Sequence, residues 1–302
     1  MSLHEIASRL ALRYLSHDRQ AALRAAYHSA RSRLNPLIRA AYGSFDAAEL
    51  RQHLESRLGT SFEVLMVHSS LNHMQPTYTG SAIEVVRSLL DLCGPGRTLA
   101  MPTFYFGDPA TGGARAMLKR EGRFDVRRTP SDMGMISELF RRSKGVVHSR
   151  HPYYRISALG PLAEPLVAGA ERAGTPAGPG TPFDFMAKRD TVIIGLGKSC
   201  EVLTQIHHAE DMMGDSFPVP SAPGEHLALT LIDGKVEVPF EMRGRDFLWR
   251  RNVGNVRKLM TRETLREWRF HNVQIFATRA AQVTATLIKA AERGETLYEQ
   301  PR

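Results

Sequence analysis

The apolar residues of the chain fall into short continuous runs that alternate with stretches of helical periodicity. Residues 62–67 form such a run, and its length and polar flanks are typical of a buried strand. From Ser81 to Leu92 the apolar positions instead share one helical face, and Cys93-Gly94-Pro95-Gly96 ends this pattern. Residues 98–101 are again a short apolar run, stopped by Pro102. This part of the chain therefore predicts a strand, a helix and a second strand in succession.

The second half of the chain repeats the alternation and adds a hairpin. Residues 191–194 predict a strand, and a helix is expected from about Thr204. Asp233-Gly234 lies in the middle of an apolar stretch, residues 227–240, and an Asp-Gly pair in this setting favours a tight β-hairpin. An amphipathic helix over residues 280–291 follows. Strands that alternate with helices imply an α/β fold, and the hairpin implies that the sheet is mixed.

Residues 1–43 differ from the remainder because they are rich in Arg and Ala and contain few acidic side chains. Asn35-Pro36 is expected to interrupt this helical segment, because the residue before a proline avoids helical backbone angles. We expect a helical extension over residues 1–58 that packs on its own domain, residues 59–302, or joins two copies in a homodimer. A basic helix on a membrane surface and an Arg-rich transit peptide are the alternatives. One face of the first helix collects Leu3, Ala7, Leu10 and Tyr14.

Composition narrows the function classes. The 302 residues are 42% hydrophobic and 24% charged, which excludes a disordered chain, because such chains lack the apolar residues that offset ordering entropy. No stretch approaches the roughly 18 apolar residues of a membrane span, and residues 1–10 carry no secretory signal. Cys93 and Cys200 lie far apart, so neither a disulfide framework nor a Cys-based zinc site is expected. A cytoplasmic location fits these features.

The net charge of +9 favours an anionic partner. Nucleic acid, an anionic lipid surface and a phosphate-bearing small molecule all fit that charge. The chain lacks a basic stripe interleaved with aromatic residues, so we do not expect nucleic acid as the partner.

The first motif with candidate chemistry is His68-Ser69-Ser70-Leu71, at the end of the 62–67 strand. A strand end in an α/β protein opens into backbone N–H groups without other partners, and phosphates bind there. The two serine hydroxyls add donors without bulk. By itself, however, this pattern more often marks a helix cap and a turn.

The second motif is the Arg-Arg-Thr-Pro-Ser-Asp-Met-Gly sequence of residues 127–134, which precedes the apolar-periodic residues 135–140. Thr129 or Ser131 is expected to cap that helix. The two arginines just before a capped helix are well placed to meet a phosphate. A solvated run of charges is the alternative.

The third motif is His207 and Glu210, which share one face of the helix expected from Thr204. An imidazole beside a carboxylate suits general-base catalysis, because the carboxylate orients the ring and stabilises its protonated form. His208 lies on another face, and no second ligand stands at the spacing of helical zinc sites, so no metal is expected. Isolated His/Glu pairs are more often structural.

In this order the motifs resemble the aminoglycoside 3-N-acetyltransferase family, the acyl-CoA-dependent antibiotic N-acetyltransferases. The resemblance runs from about Phe62 to the C-terminus. It implies a three-layer α/β/α fold around a mixed sheet and direct acetyl transfer from acetyl-CoA to an amine. The matching blocks are His68-Ser69-Ser70-Leu71, Gly80, Met101-Pro102-Thr103, Arg128-Thr129-Pro130-Ser131, Met133-Gly134, His151-Pro152, Ala158-Leu159-Gly160-Pro161, Gly178-Pro179-Gly180-Thr181-Pro182 and Thr204-x-x-His207-x-Ala209-Glu210.

The resemblance also implies a role for each matched residue. Acetyl-CoA, or another short acyl-CoA, is the co-substrate, and His207 supported by Glu210 removes the proton from the attacking amine. This agrees with the chemistry, because a sugar amine is mostly protonated at neutral pH and cannot attack a thioester until it loses a proton. The residues implied to hold CoA are His68, Ser69, Ser70, Leu71, Pro102, Thr103, Arg128, Thr129, Met133 and Gly134.

Three departures leave the acceptor open. The Arg-rich start has no counterpart in the compact family pattern. Residues 72–79 replace a stretch that in many members is apolar and ends in paired glycines, of which only Gly80 remains. The charge of +9 does not suit a polycationic aminoglycoside, although an acidic cleft around Asp108, Asp211 and Asp215 would. Basic side chains cluster late in the chain, at Arg243, Arg245, Arg250, Arg251, Arg257 and Lys258.

The leading hypothesis is therefore an N-acyltransferase for an amino sugar or a related amine, with a phosphate- or nucleotide-linked acceptor favoured by charge. A true aminoglycoside resistance enzyme is the second hypothesis. A catalytically silent homologue that serves as a binding or scaffold protein is the third, and the intact His207/Glu210 pair argues against it.

Overall fold

The computed structural model describes residues 34–301, and the chain divides between Ser44 and Phe45. In the N-terminal unit, residues 34–42 are helical. The interruption expected at Asn35-Pro36 is therefore wrong within this stretch, because the fixed φ of proline is itself a helical value. The apolar face expected over residues 3–14 lies outside the described residues.

One large mixed sheet organises residues 45–301. The strands of the described residues are β1 (Val64–Ser69), β2 (Thr98–Pro102), β3 (Arg123–Asp125), β4 (Val147–His148), β5 (Ile156–Leu159), β6 (Thr191–Leu196), β7 (Ser221–Asp233), β8 (Val236–Phe247), β9 (Arg250–Arg251), β10 (Arg266–Phe270), β11 (Val273–Arg279) and β12 (Tyr298–Glu299). Seven of them form the large sheet in the order β10-β11-β6-β1-β2-β5-β4. β1 is parallel to β2 and to β6, whereas β5 and β11 pair antiparallel with their neighbours.

Both faces of this sheet bury apolar side chains. The helices are α1 (Ala47–Leu58), α2 (Leu71–Met74), α3 (Ala82–Cys93), α4 (Gly113–Glu121), α5 (Met135–Arg141), α6 (Ala163–Val167), α7 (Pro182–Ala187), α8 (Ile206–Met213), α9 (Val256–Leu259) and α10 (Ala280–Glu292). Along β1, Leu65 and Val67 join a core with α1, α3 and α5, whereas Val64 and Met66 join another core with α7, α8 and α10. A strand covered on both faces buries successive side chains, which explains the four consecutive apolar residues 64–67.

Helix α1 belongs to the α/β unit. The Asp46 carboxylate accepts from the N–H of Glu49 at 2.9 Å, and the Glu49 carboxylate accepts from the N–H of Asp46, which is a capping box. Leu50, Leu54 and Leu58 are buried in the core shared with α3. The unit therefore begins before α1 and not at residue 59 as expected, because the apolar face of α1 has its packing partners there.

The hairpin expected around Asp233-Gly234 is confirmed, since Asp233 pairs with Val236 in antiparallel strands β7 and β8. It does not enter the large sheet, however, but forms a separate three-stranded sheet with β3. The hairpin has its own core, in which Leu231 and Phe240 pack with Leu118 of α4. The reason given for a mixed large sheet was therefore wrong, since β5, β10 and β11 supply its antiparallel pairs.

Arg155 ties the end of β2 to the loop that follows β3. The side chain is fully buried, and its guanidinium donates to the carbonyls of Thr103 (3.1 Å), Val126 (2.8 Å), Thr129 (2.9 Å) and Pro130 (3.1 Å). Burial lowers the pKa of Arg155 to about 9, so the group keeps its charge at neutral pH. One buried cation thus positions the backbone of a loop that the sequence singled out.

Replacing Arg155 with Met is expected to lower the free energy of unfolding by about 3 kcal/mol or more, because hydrogen bonds from a charged donor are worth about 1.5–3 kcal/mol each. Urea denaturation measures the change. Arg128→Met is the control: that side chain is 91% exposed, so the unfolding midpoint should stay in place. Equal midpoints for both variants would contradict the anchoring role.

Candidate active site

A cleft of about 580 Å³ lies beside the start of α8 and the strand β8. Its walls combine aromatic rings, methionine side chains and several charged groups. The aromatic residues that line it are Phe104, Phe106, Tyr153 and Tyr154. The charged and imidazole side chains are Arg115, Glu201, His207, Arg245 and Arg251.

The start of α8 is anchored from within the core. Gln205, just before the helix, is buried, and its amide donates to the Phe183 carbonyl at 3.0 Å and to Thr284 Oγ1 at 3.2 Å. His208 is also buried, and its Nδ1 lies 2.5 Å from the carbonyl oxygen of Ala177, away from His207. The helix begins two positions after the expected Thr204, and its fixed first turn leaves His207 on the cleft wall.

His207 and Glu210 form the pair that their spacing predicts. Nδ1 of His207 lies 3.2 Å from Oε2 of Glu210, and the His207 ring packs edge-on against Tyr154 with centroids 5.2 Å apart. An ionised carboxylate only accepts hydrogen bonds, so Nδ1 carries the proton and Nε2 keeps its lone pair. The imidazole side chain is 17% exposed, while that of Glu210 is only 6% exposed. The arrangement is suited to accept a proton at Nε2.

Glu210 has two further partners, Arg251 and Tyr298. Arg251 donates to both carboxylate oxygens, from Nε to Oε1 at 3.1 Å and from Nη2 to Oε2 at 2.7 Å. The Tyr298 hydroxyl donates to Oε1 at 3.1 Å. Burial by itself raises the pKa of Glu210, but the His207 hydrogen bond and the charges of His207 and Arg251 hold it below its usual range. The carboxylate is therefore ionised and oriented.

Sequence reasoning missed these two partners. Arg251 lies in β9 and Tyr298 in β12, and the two short strands pair with Tyr298 directly opposite Arg251. Arg251 had been noticed only as one of a late cluster of basic residues, and no pattern marked Tyr298. Their approach to α8 depends on chain segments far apart in sequence.

Met133 is the predicted CoA residue that lines the same cleft as His207.

Pro102 and Thr103 are buried at the end of β2. Thr103 Oγ1 is engaged inside the protein, 3.1 Å from the Arg155 carbonyl and 2.8 Å from Ser157 Oγ. Both residues thus lie beneath the surface and shape the backbone that leads into Phe104.

The end of β1 combines paired and unpaired polar groups. The sequence predicted backbone donors here that are free to bind a phosphate. The N–H of Ser70 instead donates to the Leu196 carbonyl at 2.9 Å, so this donor is already engaged. His68 and Ser69 are buried, and within the described residues His68 Nδ1 and Ser69 Oγ have no hydrogen-bond partner. Burial, with the nearby charge of Lys198, lowers the pKa of His68 to about 3, so its ring is neutral. Leu71 opens α2 and packs against the core that contains α1 and α3.

Arg128 and Thr129 are not brought to the His207 cleft. They line a separate hollow of about 540 Å³, together with Gly234 of the hairpin turn. Arg128 is exposed, and its Nε lies 3.9 Å from Asp125. The structure thus separates the matched residues into those near His207 and those near the hairpin.

The cap expected for α5 was wrong. The helix begins at Met135 after Gly134, whose φ of +98° favours glycine, and no side chain caps it. Thr129 instead offers its carbonyl to Arg155, and Ser131 Oγ accepts from the N–H of Met133 at 3.2 Å. The loop turns sharply before the helix, which moves both expected caps away from its first turn.

The late basic cluster is partly neutralised by carboxylates. Arg257 lies 2.8 Å from Glu267 and 3.3 Å from Glu201, and Arg245 lies 3.1 Å from Asp215. These ion pairs show that the late basic residues do not form one continuous surface of unpaired positive charge.

The acidic cleft considered from the sequence does not form around His207. Asp211 accepts from the backbone N–H of Ala177 at 2.7 Å, and burial raises its pKa. Asp108 caps a short turn through the N–H of Ala110, and Asp215 pairs with Arg245. None of these three residues is among those that line the His207 cleft in the described part of the chain.

Within residues 34–301, no group of three or more His, Cys, Asp or Glu side chains is arranged to hold a metal ion. No helix in the same range is long and apolar enough to cross a membrane.

Known proteins resemble this chain over most of its length. Aminoglycoside N(3)-acetyltransferase IV of Salmonella sp is 31% identical over 177 residues, which are 57% of this chain and 59% of that enzyme. Aminoglycoside N(3)-acetyltransferase VIII of Streptomyces fradiae is 26% identical over 224 residues, 71% of this chain and 73% of that enzyme. The match to the Salmonella enzyme thus spans less than two thirds of that relative.

Solved structures share the fold. The apoenzyme of aminoglycoside acetyltransferase AAC(3)-IVa aligns with a TM-score of 0.66 and 23% identity over 85% of this chain and 92% of that chain. The binary complex of AAC-IIIb with CoASH aligns with a TM-score of 0.68 and 20% identity over 85% and 99%. The sequence profile described as aminoglycoside 3-N-acetyltransferase matches residues 66–292. With three quarters of its length inside that profile, the chain belongs to the aminoglycoside 3-N-acetyltransferase family.

Proposed function

We propose that this protein is an acyl-CoA-dependent N-acetyltransferase that acts on a primary amine of an amino sugar or a related compound. The observation that carries the proposal is the His207–Glu210 pair, 3.2 Å apart on the wall of a cleft of about 580 Å³. Membership of the acetyltransferase family supports it. A base with an oriented, ionised carboxylate is what direct attack by a protonated amine requires.

The proposed architecture has three layers, with the large sheet between two groups of helices. The two apolar cores on opposite faces of β1 support it. We further propose that the Arg-rich N-terminal segment is a helical extension and the place where two copies would meet.

In the proposed reaction, His207 Nε2 takes a proton from the bound ammonium group and leaves a nucleophilic amine. Glu210 stabilises the imidazolium that forms. When bound, acyl-CoA supplies the thioester carbonyl that the amine attacks. As the C–N bond forms and the C–S bond breaks, the attacking nitrogen releases its second proton to bulk water, and His207 returns the first proton to the departing thiolate. No residue of the chain becomes acylated in this scheme.

The described residues fit an acyl-CoA near the end of β1. Met133 lines the same cleft as His207, and the buried atoms His68 Nδ1 and Ser69 Oγ have no partner among the described residues. Because buried polar atoms are normally hydrogen-bonded, such atoms support a ligand nearby. Exposed Arg128 lines a hollow that His207 does not line, so in this proposal Arg128 and Thr129 meet the phosphate-bearing end of CoA.

Replacing His207 with Ala is expected to lower the acyl transfer rate roughly 10²–10⁴-fold, the usual worth of a positioned base. Glu210→Gln should reduce the rate less, because the base remains. Wild-type turnover should fall as the pH is lowered, because a protonated imidazole cannot accept a proton from the amine. The two variants and the pH dependence are all assayed as thiol release from acetyl-CoA with a panel of amines.

His226→Ala is the matched control, because His226 also lies beside a glutamate, Glu241 at 3.7 Å, but is 48% exposed on β7. Near-normal turnover in His207→Ala would show that the base was misassigned. No thiol release by the wild type with any amine would favour the binding or scaffold protein instead.

Arg128→Ala is expected to weaken acetyl-CoA binding, because it removes a cation from the proposed phosphate contact. The loss should shrink as salt is added, since salt screens exposed charges. Calorimetric titration at low and moderate ionic strength measures it, with Arg142→Ala, another exposed arginine, as the control. Equal affinity in wild type and Arg128→Ala would place the phosphates elsewhere.

Chelators should leave turnover unchanged.

The acceptor is proposed to carry a negative charge in addition to its amine. The charged residues that line the cleft are paired: Arg115 lies 3.8 Å from Asp246, Arg245 3.1 Å from Asp215 and Arg251 2.7 Å from Glu210, while Glu201 lies 3.3 Å from Arg257. The preference for an anion therefore rests on the net charge of +9, which attracts an anionic amine and repels a polycation at long range. The names of the relatives favour the second hypothesis, an aminoglycoside acceptor.

Competition between a phosphate-linked amino sugar and a 2-deoxystreptamine antibiotic distinguishes the two acceptors. We expect the anionic amine to give the higher kcat/KM and to lose more of it as salt is added, because the Debye length falls from about 30 Å at 0.01 M to about 8 Å at physiological ionic strength. Efficient acetylation of the antibiotic without turnover of the anionic amine would establish the aminoglycoside enzyme.

A further inference from the structure

We propose that Arg251 and Tyr298 are positioning residues that orient Glu210 and, through its charge, set the pH range in which His207 works as a base. This inference rests on the proposed acyltransfer reaction. It assigns a catalytic consequence to β9 and β12, two short strands that lie late in the chain.

The orientation follows from the number of donors on one carboxylate. Oε2 of Glu210 accepts from His207 Nδ1 (3.2 Å) and Arg251 Nη2 (2.7 Å), while Oε1 accepts from Arg251 Nε (3.1 Å) and the Tyr298 hydroxyl (3.1 Å). Rotation of the carboxylate would break at least one of these contacts. The two-point contact with a planar guanidinium adds geometric precision that a single point charge lacks.

Arg251 is itself held in place. Its Nε lies 2.8 Å from the Tyr298 hydroxyl, to which Nη2 also donates, and the guanidinium lies 5.1 Å from the centre of the Tyr298 ring. The same group lies 6.0 Å from the ring of Phe247, at the end of β8. Strand pairing, hydrogen bonding and ring contact thus fix the cation against Glu210.

Oε2 of Glu210 faces both the imidazole of His207 and a permanent cation, the guanidinium of Arg251. An isolated carboxylate would strongly stabilise the imidazolium and keep His207 protonated to higher pH. Arg251 lies against the same carboxylate and offsets that negative charge. The pair Glu210–Arg251 therefore orients His207 with less electrostatic stabilisation of its protonated form.

Two other titratable side chains face this group. Tyr154 packs against the His207 ring, and burial raises its pKa to about 12, so it stays neutral. Asp211, next to Glu210 on α8, has its pKa raised by burial and accepts from the backbone N–H of Ala177. Neither supplies a positive charge. Among the described groups around Glu210, Arg251 is therefore the one whose removal unmasks the carboxylate.

The decisive measurement is the pH dependence of kcat/KM for thiol release in wild type, Arg251→Gln and Arg251→Lys. In Arg251→Gln the acid limb is expected to move to higher pH by on the order of one unit, since a charge within about 4–6 Å shifts a neighbouring group by roughly that amount or more and both side chains contact the same carboxylate. Activity lost at neutral pH should return at higher pH. Arg251→Lys keeps the charge but loses the two-point contact, so its limb should stay in place while kcat falls.

Tyr298→Phe separates orientation from charge, because it removes one donor to Glu210 and no charge. It should lower kcat without moving the acid limb. Arg250→Gln is the matched control: the residue precedes Arg251 in the same strand, but its side chain is exposed. That variant should behave like the wild type.

A second readout does not depend on turnover. The imidazole carbon signals of His207, followed by NMR against pH, should show a higher midpoint in Arg251→Gln than in wild type. Arg251→Met provides a second neutral variant for the same comparison if the first folds poorly. An active wild type with identical acid limbs and identical NMR midpoints in the neutral variants would overturn the inference. A wild type that releases no thiol with any amine would instead overturn the proposed function.

Discussion

The buried carboxylate of Glu210 is the charge on which the geometry of the site depends. A carboxylate removed from water is costly unless every oxygen is paired, and this one has partners on α8, β9 and β12. Those partners bring three distant segments of the chain to one point. The same contacts that compensate the buried charge also hold the imidazole of His207 at the cleft.

The large sheet provides the rigid base for this group, and the small sheet provides a wall. β1, β2 and β6 run parallel, so their carboxyl ends meet at one edge, the usual place for ligands in α/β folds. The hairpin β7–β8 has its own core and contributes Met242, Gly244 and Arg245 to the cleft. A wall built on a separate sheet can change its lining residues without disturbing the base.

Two arginines have distinct structural roles in this molecule. Buried Arg155 donates to backbone carbonyls and holds a loop, whereas half-buried Arg251 is bound to the carboxylate of Glu210, the partner of His207. Each arginine is positioned by partners from a different part of the chain, so the number of basic residues in a segment says little about free charge. The late basic cluster illustrates this, because Arg245, Arg251 and Arg257 each lie against an acidic side chain.

The sequence by itself determined the alternation of strands and helices, the buried strand β1, the hairpin at Asp233-Gly234 and the His207–Glu210 pair. These features depend on local periodicity, on turn chemistry and on a three-residue helical spacing, all of which are written in neighbouring residues. The family blocks added the matched positions around them. Among these, Met133 was the predicted CoA residue found lining the cleft of His207.

Only the tertiary structure decided that Arg251 and Tyr298 reach Glu210, that the hairpin forms its own sheet, and that Arg128 lies in a different hollow from His207. Each of these depends on how strands pair and which faces pack, and the contacts join residues that no local pattern relates. A side chain's charge and shape are set by its sequence position, but its partner is set by the fold. That is why a basic residue noticed in the sequence as part of a cluster became, in the structure, the counter-charge of the buried carboxylate.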